Sequence, residues 1–262
     1  TKPWDGIDWM PWAFYPFVIG LGYLLPADLS FSCWFFYFFW KAQMVITRAL
    51  ALDSVPTFPF IKHQAFGGYV AIILMLTWTG KGYLKQVWLR IKGEESELDD
   101  SDEPMRYRTA AAGAIIGFLI LSMFMASIGL SPLLCILAFL IYFVLATAIA
   151  RMRAELGPPT HDLYFSGPTR VLTALLGSRP FGVQNLVILT QFHGFDRDYR
   201  SSPMAHQLEA LKMGRSTGMQ GKRLIGAMLL ASVVAFVAWF WLYLTAAYQF
   251  GTTGKMRGGW VA

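Results

Sequence analysis

The chain has 262 residues, of which 55% are hydrophobic, 16% aromatic and only 15% charged. An ordinary soluble domain carries roughly 25% charged residues, so the composition excludes a typical water-soluble fold and points to a lipid-facing one. The formal charge of +6 sits in loops flanking apolar runs, which excludes nucleic acid as its partner.

Two cysteines (Cys33 and Cys135) and four scattered histidines give neither a disulfide framework nor zinc-ligand spacing. No metal or cofactor is expected. The chain opens on Thr1 and closes on GGWVA, and we expect it to be part of a longer protein.

In chain order, residues 1–11 are turn-rich, and Trp4, Trp9 and Trp12 fit an interfacial aromatic belt. Trp12–Leu50 reads as a short half-span, Trp12–Leu25, a break at Pro26-Ala27-Asp28, and a full span, Leu29–Leu50. Pro56 and Pro59 keep 51–64 a loop. A helix follows from Ala65 to Ile91, apolar over Phe66–Thr79 and then amphipathic with Lys81, Lys85 and Arg90. The acidic segment Gly93–Pro104 has no apolar run and is expected to be a mobile cytoplasmic loop.

Thr109–Gly129 and Pro132–Ala150 form two spans joined by a tight turn. Residues 151–222 are as polar as a soluble protein. Within them Pro168–Leu176 has a helix start at Pro168, a stop at Gly177, and one apolar face of Val171, Leu172, Leu175 and Leu176. Val183–Phe195 is too short to span and is buried or re-entrant. A further helix begins at Ser202-Pro203 with Met204, Leu208 and Leu211 on one face. Leu224–Phe250 is long enough to span with tilt.

The predicted fold is all-α: a polytopic transmembrane helical bundle of five or six spans, one discontinuous helix near Pro26–Asp28, and short cytoplasmic amphipathic helices. Three regions are expected: 1–150 transmembrane, with the acidic loop 93–104; 151–222 cytoplasmic or interfacial; and 223–262, the last transmembrane helix and tail. Of the 22 Lys and Arg residues, six lie in 81–108 and ten in 151–223; Lys2, Arg48, Lys62, Lys255 and Arg257 fall on the other side, and Lys41 lies within a run. The positive-inside rule therefore places 81–108 and 151–223 in the cytoplasm, and the expected location is a bacterial inner membrane.

The polar residues within apolar runs are the candidate site. Asp28, with Ser30 and Ser32, stands at the break, where a carboxylate either lines a binding cavity or caps a helix at the interface. Lys41 and Gln43 lie midway along the following run, where Lys41 either attracts an anion or a carboxylate or serves the structure. His63, with Lys62 and Gln64, precedes the next helix as a binding or proton-relay group or as a solvated helix start. His193 and Asp198 have the His-x4-Asp spacing of glycerolipid acyltransferases, in which the carboxylate orients a histidine base; the other reading is a polar loop with local ion pairs. His161 and Asp162 would join them in an enzyme acting at the headgroups.

The run LPADLSFSCWFFYFFWKAQ (25–43), RMRAELGPP (151–159) and MAHQLEALKMG (204–214) resemble a family of large bacterial multi-pass membrane proteins, a domain of unknown function. The resemblance covers most of the chain, as the C-terminal part of such a protein, and implies an architecture without catalytic residues. At a greater distance the broken-helix pattern is similar to the oligopeptide-transporter superfamily, whose Asn-Pro-Gly motif is absent here. The expected function is a secondary transporter, or part of one, for a small polar solute. A membrane-embedded enzyme on lipid or lipid-linked substrates and a structural subunit of a membrane complex are the alternatives. The expected partners are the lipid bilayer, a small-molecule substrate, and the remainder of a longer chain or other membrane subunits.

Overall fold

The computed structural model describes residues 2–10, 12–157, 167–191 and 203–251. Among these it has ten α-helices, three 3-10 turns and no strand. They fall into two compact units, and the chain passes between them three times: after Thr79, within one helix between Leu121 and Ser122, and before Pro203.

The first unit opens with a 3-10 turn, Trp4–Ile7. Helix α1 (Pro16–Leu24) starts on proline, whose fixed φ suits the first helical position. It stops where Leu25 turns extended, at ψ 148°, the conformation favoured by a residue before proline. Helix α2 (Ala27–Ala49) restarts directly after Pro26, so the expected discontinuity is present. Phe31, Trp34, Phe36 and Phe39 of α2 are exposed while Lys41 and Thr47 are buried. That is inverted relative to a soluble helix, and an aromatic surface of this kind needs an apolar cover.

Helix α3 (Ile61–Thr79) packs on α6 (Pro132–Leu156). Leu145 and Ile149 of α6 form a buried centre against Phe66, Tyr69, Ile141 and Tyr142. Ala138 and Ala148 are fully buried, and such small side chains let neighbouring helices approach closely. Helix α7 (Pro168–Leu176) lies on α6, held between Pro168 and Gly177 as the sequence predicts. Its face is narrower than expected, because Val171 and Leu172 are buried while Leu175 and Leu176 are exposed.

Helix α8 (Gly182–Gln191) covers the described part of the Val183–Phe195 stretch as an ordinary short helix that buries Ile188 and Leu189. It docks through Thr169 Oγ1, which donates to Leu189 O at 2.7 Å, and Asn185 Oδ1, which accepts the Ser131 N–H at 2.9 Å. Gly129 turns the chain into α6 at φ 107°, where a Cβ would lie 2.4 Å from Gln184 Nε2. Only glycine suits both demands.

The second unit holds α4 (Lys81–Lys92), the start of α5 (Tyr107–Ser127), α9 (Pro203–Ser216) and α10 (Gly221–Phe250). The single helix expected over Ala65–Ile91 is interrupted at Gly80, and α4 ends at left-handed Gly93, where the Glu94 N–H reaches back to Leu89 O at 3.0 Å. The acidic loop is not an unattached tail: Ser96 Oγ donates to Gln86 O at 3.0 Å, the Glu97 N–H donates to Gln86 Oε1 at 3.2 Å, and Asp100 is buried. Helix α9 packs against α10. It buries Ala205 and Gly214, whereas Leu208 of the expected apolar face is exposed.

Three described helices are long and apolar enough to cross a membrane: Tyr107–Ser127, Pro132–Glu155 and Gly221–Phe250. This corrects the expected five or six. Helix α1 has nine residues, and Lys41, Gln43 and Arg48 interrupt α2. Lys62, His63 and Gln64 occupy the first turn of α3, which leaves Phe66–Thr79, about 21 Å of helix against a core of about 30 Å.

Candidate functional site

The polar side chains of the first unit gather along α2, α3 and α7. Lys41 is 7% exposed. Its Nζ donates to Ile7 O at 3.0 Å and to Trp9 O at 2.9 Å, and lies 4.7 Å from the centre of the Trp40 ring. Two of its three protons are thus committed to carbonyls. Gly6 permits the contact, since a Cβ there would lie 2.8 Å from Arg48 Cβ and 2.9 Å from Met44 O. Arg48 adds ion pairs to Asp5, at 3.4 Å, and to Asp53. In this arrangement Lys41 fastens the amino-terminal turn to α2.

Two residues further along α2 its side chains meet those of α3. Gln43 and Gln64 exchange hydrogen bonds, Nε2 of Gln64 to Oε1 of Gln43 at 2.8 Å and the reverse at 3.3 Å, and Gln64 also donates to Pro59 O at 2.8 Å. His63, next along α3, is exposed and stands edge-on to Phe60, with ring centres 5.8 Å apart. It lines a groove of about 140 Å³ between α3 and α7. Lys62 and Arg170 bring the charge and His63 an imidazole; Phe66, Val171, Ala174 and Leu175 form the apolar wall. Two permanent cations and an imidazole above an apolar floor suit a small anion with an apolar part. Since a water occupies about 30 Å³ of liquid, the groove has room for a solute of only a few heavy atoms.

Asp28 is placed elsewhere. It lies in the exposed first turn of α2, where its Oδ1 accepts the Leu29 N–H at 2.9 Å and its carbonyl accepts Ser32 Oγ at 2.8 Å. Ser30 is in the same turn, half-buried. Asp28 and Lys41 are separated by about 20 Å of helix, so these residues do not form one cavity with Lys41, Gln43 and His63. His193 and Asp198, with His161 and Asp162, lie outside the described residues. Arg170 is the site residue that sequence reasoning missed; its signal was a lone cation on an otherwise apolar amphipathic helix. Among the described residues no three His, Cys, Asp or Glu side chains gather as a metal site would require.

Comparison with curated proteins and with solved structures gave no match. A family model does match, over residues 1–262, and its description is a family of unknown function, DUF6785. The three candidate membrane-spanning helices suggest a membrane protein, and the full-length match means that the chain belongs to the DUF6785 family.

Proposed function

We propose that the chain is a secondary transporter, or the solute-binding part of one, and that its solute is small, polar and anionic. The observation that carries this reading is the α3–α7 groove, where Lys62, His63 and Arg170 converge over an apolar wall. Gln64 follows His63 on α3 and, with its partner Gln43 on α2, offers neutral hydrogen-bonding groups next to the groove.

The proposed orientation has 81–108 and 151–223 on the cytoplasmic face of an inner membrane. Three spans keep that arrangement: α5 starts from this side, α6 returns to it, and α10 leaves it. The groove supports it too. Lys62 lines the same groove as Arg170, and one small groove does not have walls on opposite faces of a bilayer. In this reading Lys62 lies on the cytoplasmic face with Arg170, and α3 does not cross.

The test is uptake by the protein in proteoliposomes, with a panel of small carboxylates and phosphate esters against neutral and cationic solutes of equal size. At least one anion should accumulate, and Arg170→Gln should abolish its uptake while leaving the protein folded. Uptake of no anion, or unchanged uptake in Arg170→Gln, would sink the assignment. A second reading, a structural subunit of a larger complex, is favoured by α10, whose most apolar stretch has none of its residues buried.

A further inference from the structure

Where α4 ends and α5 begins, the second unit forms a cleft of about 300 Å³ walled by Arg90, Arg106 and Arg108 with Gly93, Glu94 and Ser101. Guanidinium groups gathered this closely repel one another unless anions lie among them. One anion is built in. Asp100 accepts Arg90 Nη2 at 2.8 Å and Arg90 Nε at 3.0 Å through one oxygen, and the Tyr107 N–H at 3.2 Å through the other. The hydrogen bonds from Arg90 hold the Asp100 carboxyl below the usual carboxylate range.

Two further acids near the cleft, Asp99 and Glu94, are also engaged. Asp99 accepts the Ser101 N–H at 3.0 Å and the Ser101 hydroxyl at 2.8 Å. Glu94 faces Lys92 at 3.9 Å. The guanidinium groups of Arg106 and Arg108 have no hydrogen-bond or ion-pair partner among the described residues, and both residues are exposed. Gly93 keeps the wall open beside them, since a Cβ there would lie 3.4 Å from Arg108 Nη1.

The location narrows the occupant. Arg106 and Arg108 flank Tyr107, the first residue of a candidate membrane span. On α4, Trp88 is 58% exposed with Lys92 Nζ 5.6 Å from its ring centre. Tyr83 of α4 meets the Tyr107 hydroxyl at 3.0 Å. Tryptophan, tyrosine and basic side chains in this arrangement mark the headgroup level of a bilayer. We infer that the cleft binds the phosphate of an anionic phospholipid, with Arg106 and Arg108 as the donors. Arg90 is a positioning residue, because it holds the loop in place through Asp100.

Free phosphate offers the same chemistry, so the experiment separates the two sources. The full chain is placed in nanodiscs of phosphatidylcholine mixed with phosphatidylglycerol, and lipid retained after detergent transfer is read by native mass spectrometry. Wild type should retain phosphatidylglycerol over phosphatidylcholine. Each of Arg106→Gln and Arg108→Gln should weaken that preference about fivefold, the worth of one basic side chain at an anionic surface. Lys81→Gln/Lys85→Gln, which removes two basic side chains outside the cleft, should weaken the preference less than Arg106→Gln/Arg108→Gln does. Circular dichroism confirms that every variant is folded. Equal retention of the two lipids by wild type, or equal losses in arginine and lysine variants, would overturn the site. Displacement of the lipid by inorganic phosphate would overturn the lipid as its occupant.

Discussion

Replacing Lys41 by methionine should release the amino-terminal turn and leave the rest of the first unit in place. Lysine donates to the carbonyls of Ile7 and Trp9 and lies over the Trp40 ring. Hydrogen bonds from a charged donor contribute about 1.5 kcal/mol each at the low end, and the ring contact about 0.5–1 kcal/mol. Against this gross sum of about 4 kcal/mol, methionine fills much of the same volume and removes the cost of burying an ammonium, which is several kcal/mol when unpaired and less for one held by two acceptors. Both carbonyls can also rehydrate, because Ile7 is half-buried and Trp9 exposed. The net loss is about 2 kcal/mol, or about thirtyfold in the opening equilibrium of this segment. Amide exchange reads it directly: the Gly6 N–H donates to Pro3 O at 3.1 Å and should exchange about thirtyfold faster. Amides in α6, around Leu145 and Ile149, should not change. Unchanged protection at Gly6 would refute the fastening role of Lys41, and uniform loss of protection throughout would show that the turn is not an independent element.

Three further outcomes follow from the geometry. Gln43→Leu should cost at most about 0.5–1 kcal/mol, because Gln64 is exposed and keeps its hydrogen bond to Pro59 O, and Gln43→Leu/Gln64→Leu should cost less than the two single losses together; thermal unfolding of the variants in detergent checks the sign of the coupling. Asp100 has a folded pKa lowered beneath its ordinary 3.8, chiefly by the Arg90 hydrogen bonds. Its contribution is therefore complete above about pH 4 and is lost as the pH falls through the folded value, so the Tyr107 N–H should lose protection only in acid, and in Asp100→Asn at every pH. Val234→Arg on α10, at a position 58% exposed, should cost about 3–4 kcal/mol of membrane insertion, read as lost translocation of a reporter fused to the carboxyl terminus; unchanged translocation would contradict α10 as a span.

Much of the fold is legible because its punctuation is local. Pro168 and Gly177 delimit α7, Leu25-Pro26 breaks the chain between α1 and α2, and Gly129 with Pro132 forces the turn into α6. What is not legible depends on partners distant in sequence. Lys41 looks like an ion at membrane depth because its neighbours in the chain are aromatic; only the turn at Trp4–Ile7, folded back on α2, reveals its acceptors. Asp100 is one acid in an acidic run, and nothing local marks it as the one that Arg90 selects. The apolar run ends at Thr79 and a basic amphipathic pattern follows, but neither marks a break in the helix at Gly80. The candidate groove joins Lys62 and His63 to Arg170, residues more than a hundred positions apart, while Asp28, the most conspicuous polar residue in the sequence, remains a first-turn acceptor on an exposed helix end.

The most direct test of the central claim is thiol labelling of Ala174→Cys, on the groove wall, in a background lacking Cys33 and Cys135. The protein is reconstituted in proteoliposomes and treated with membrane-impermeant reagents from each face separately. The account predicts labelling from the face that also exposes 81–108, and protection by the small anion that accumulates in uptake experiments but not by its neutral analogue. Labelling from the opposite face, or labelling indifferent to every anion in the panel, would contradict a solute-binding groove between α3 and α7.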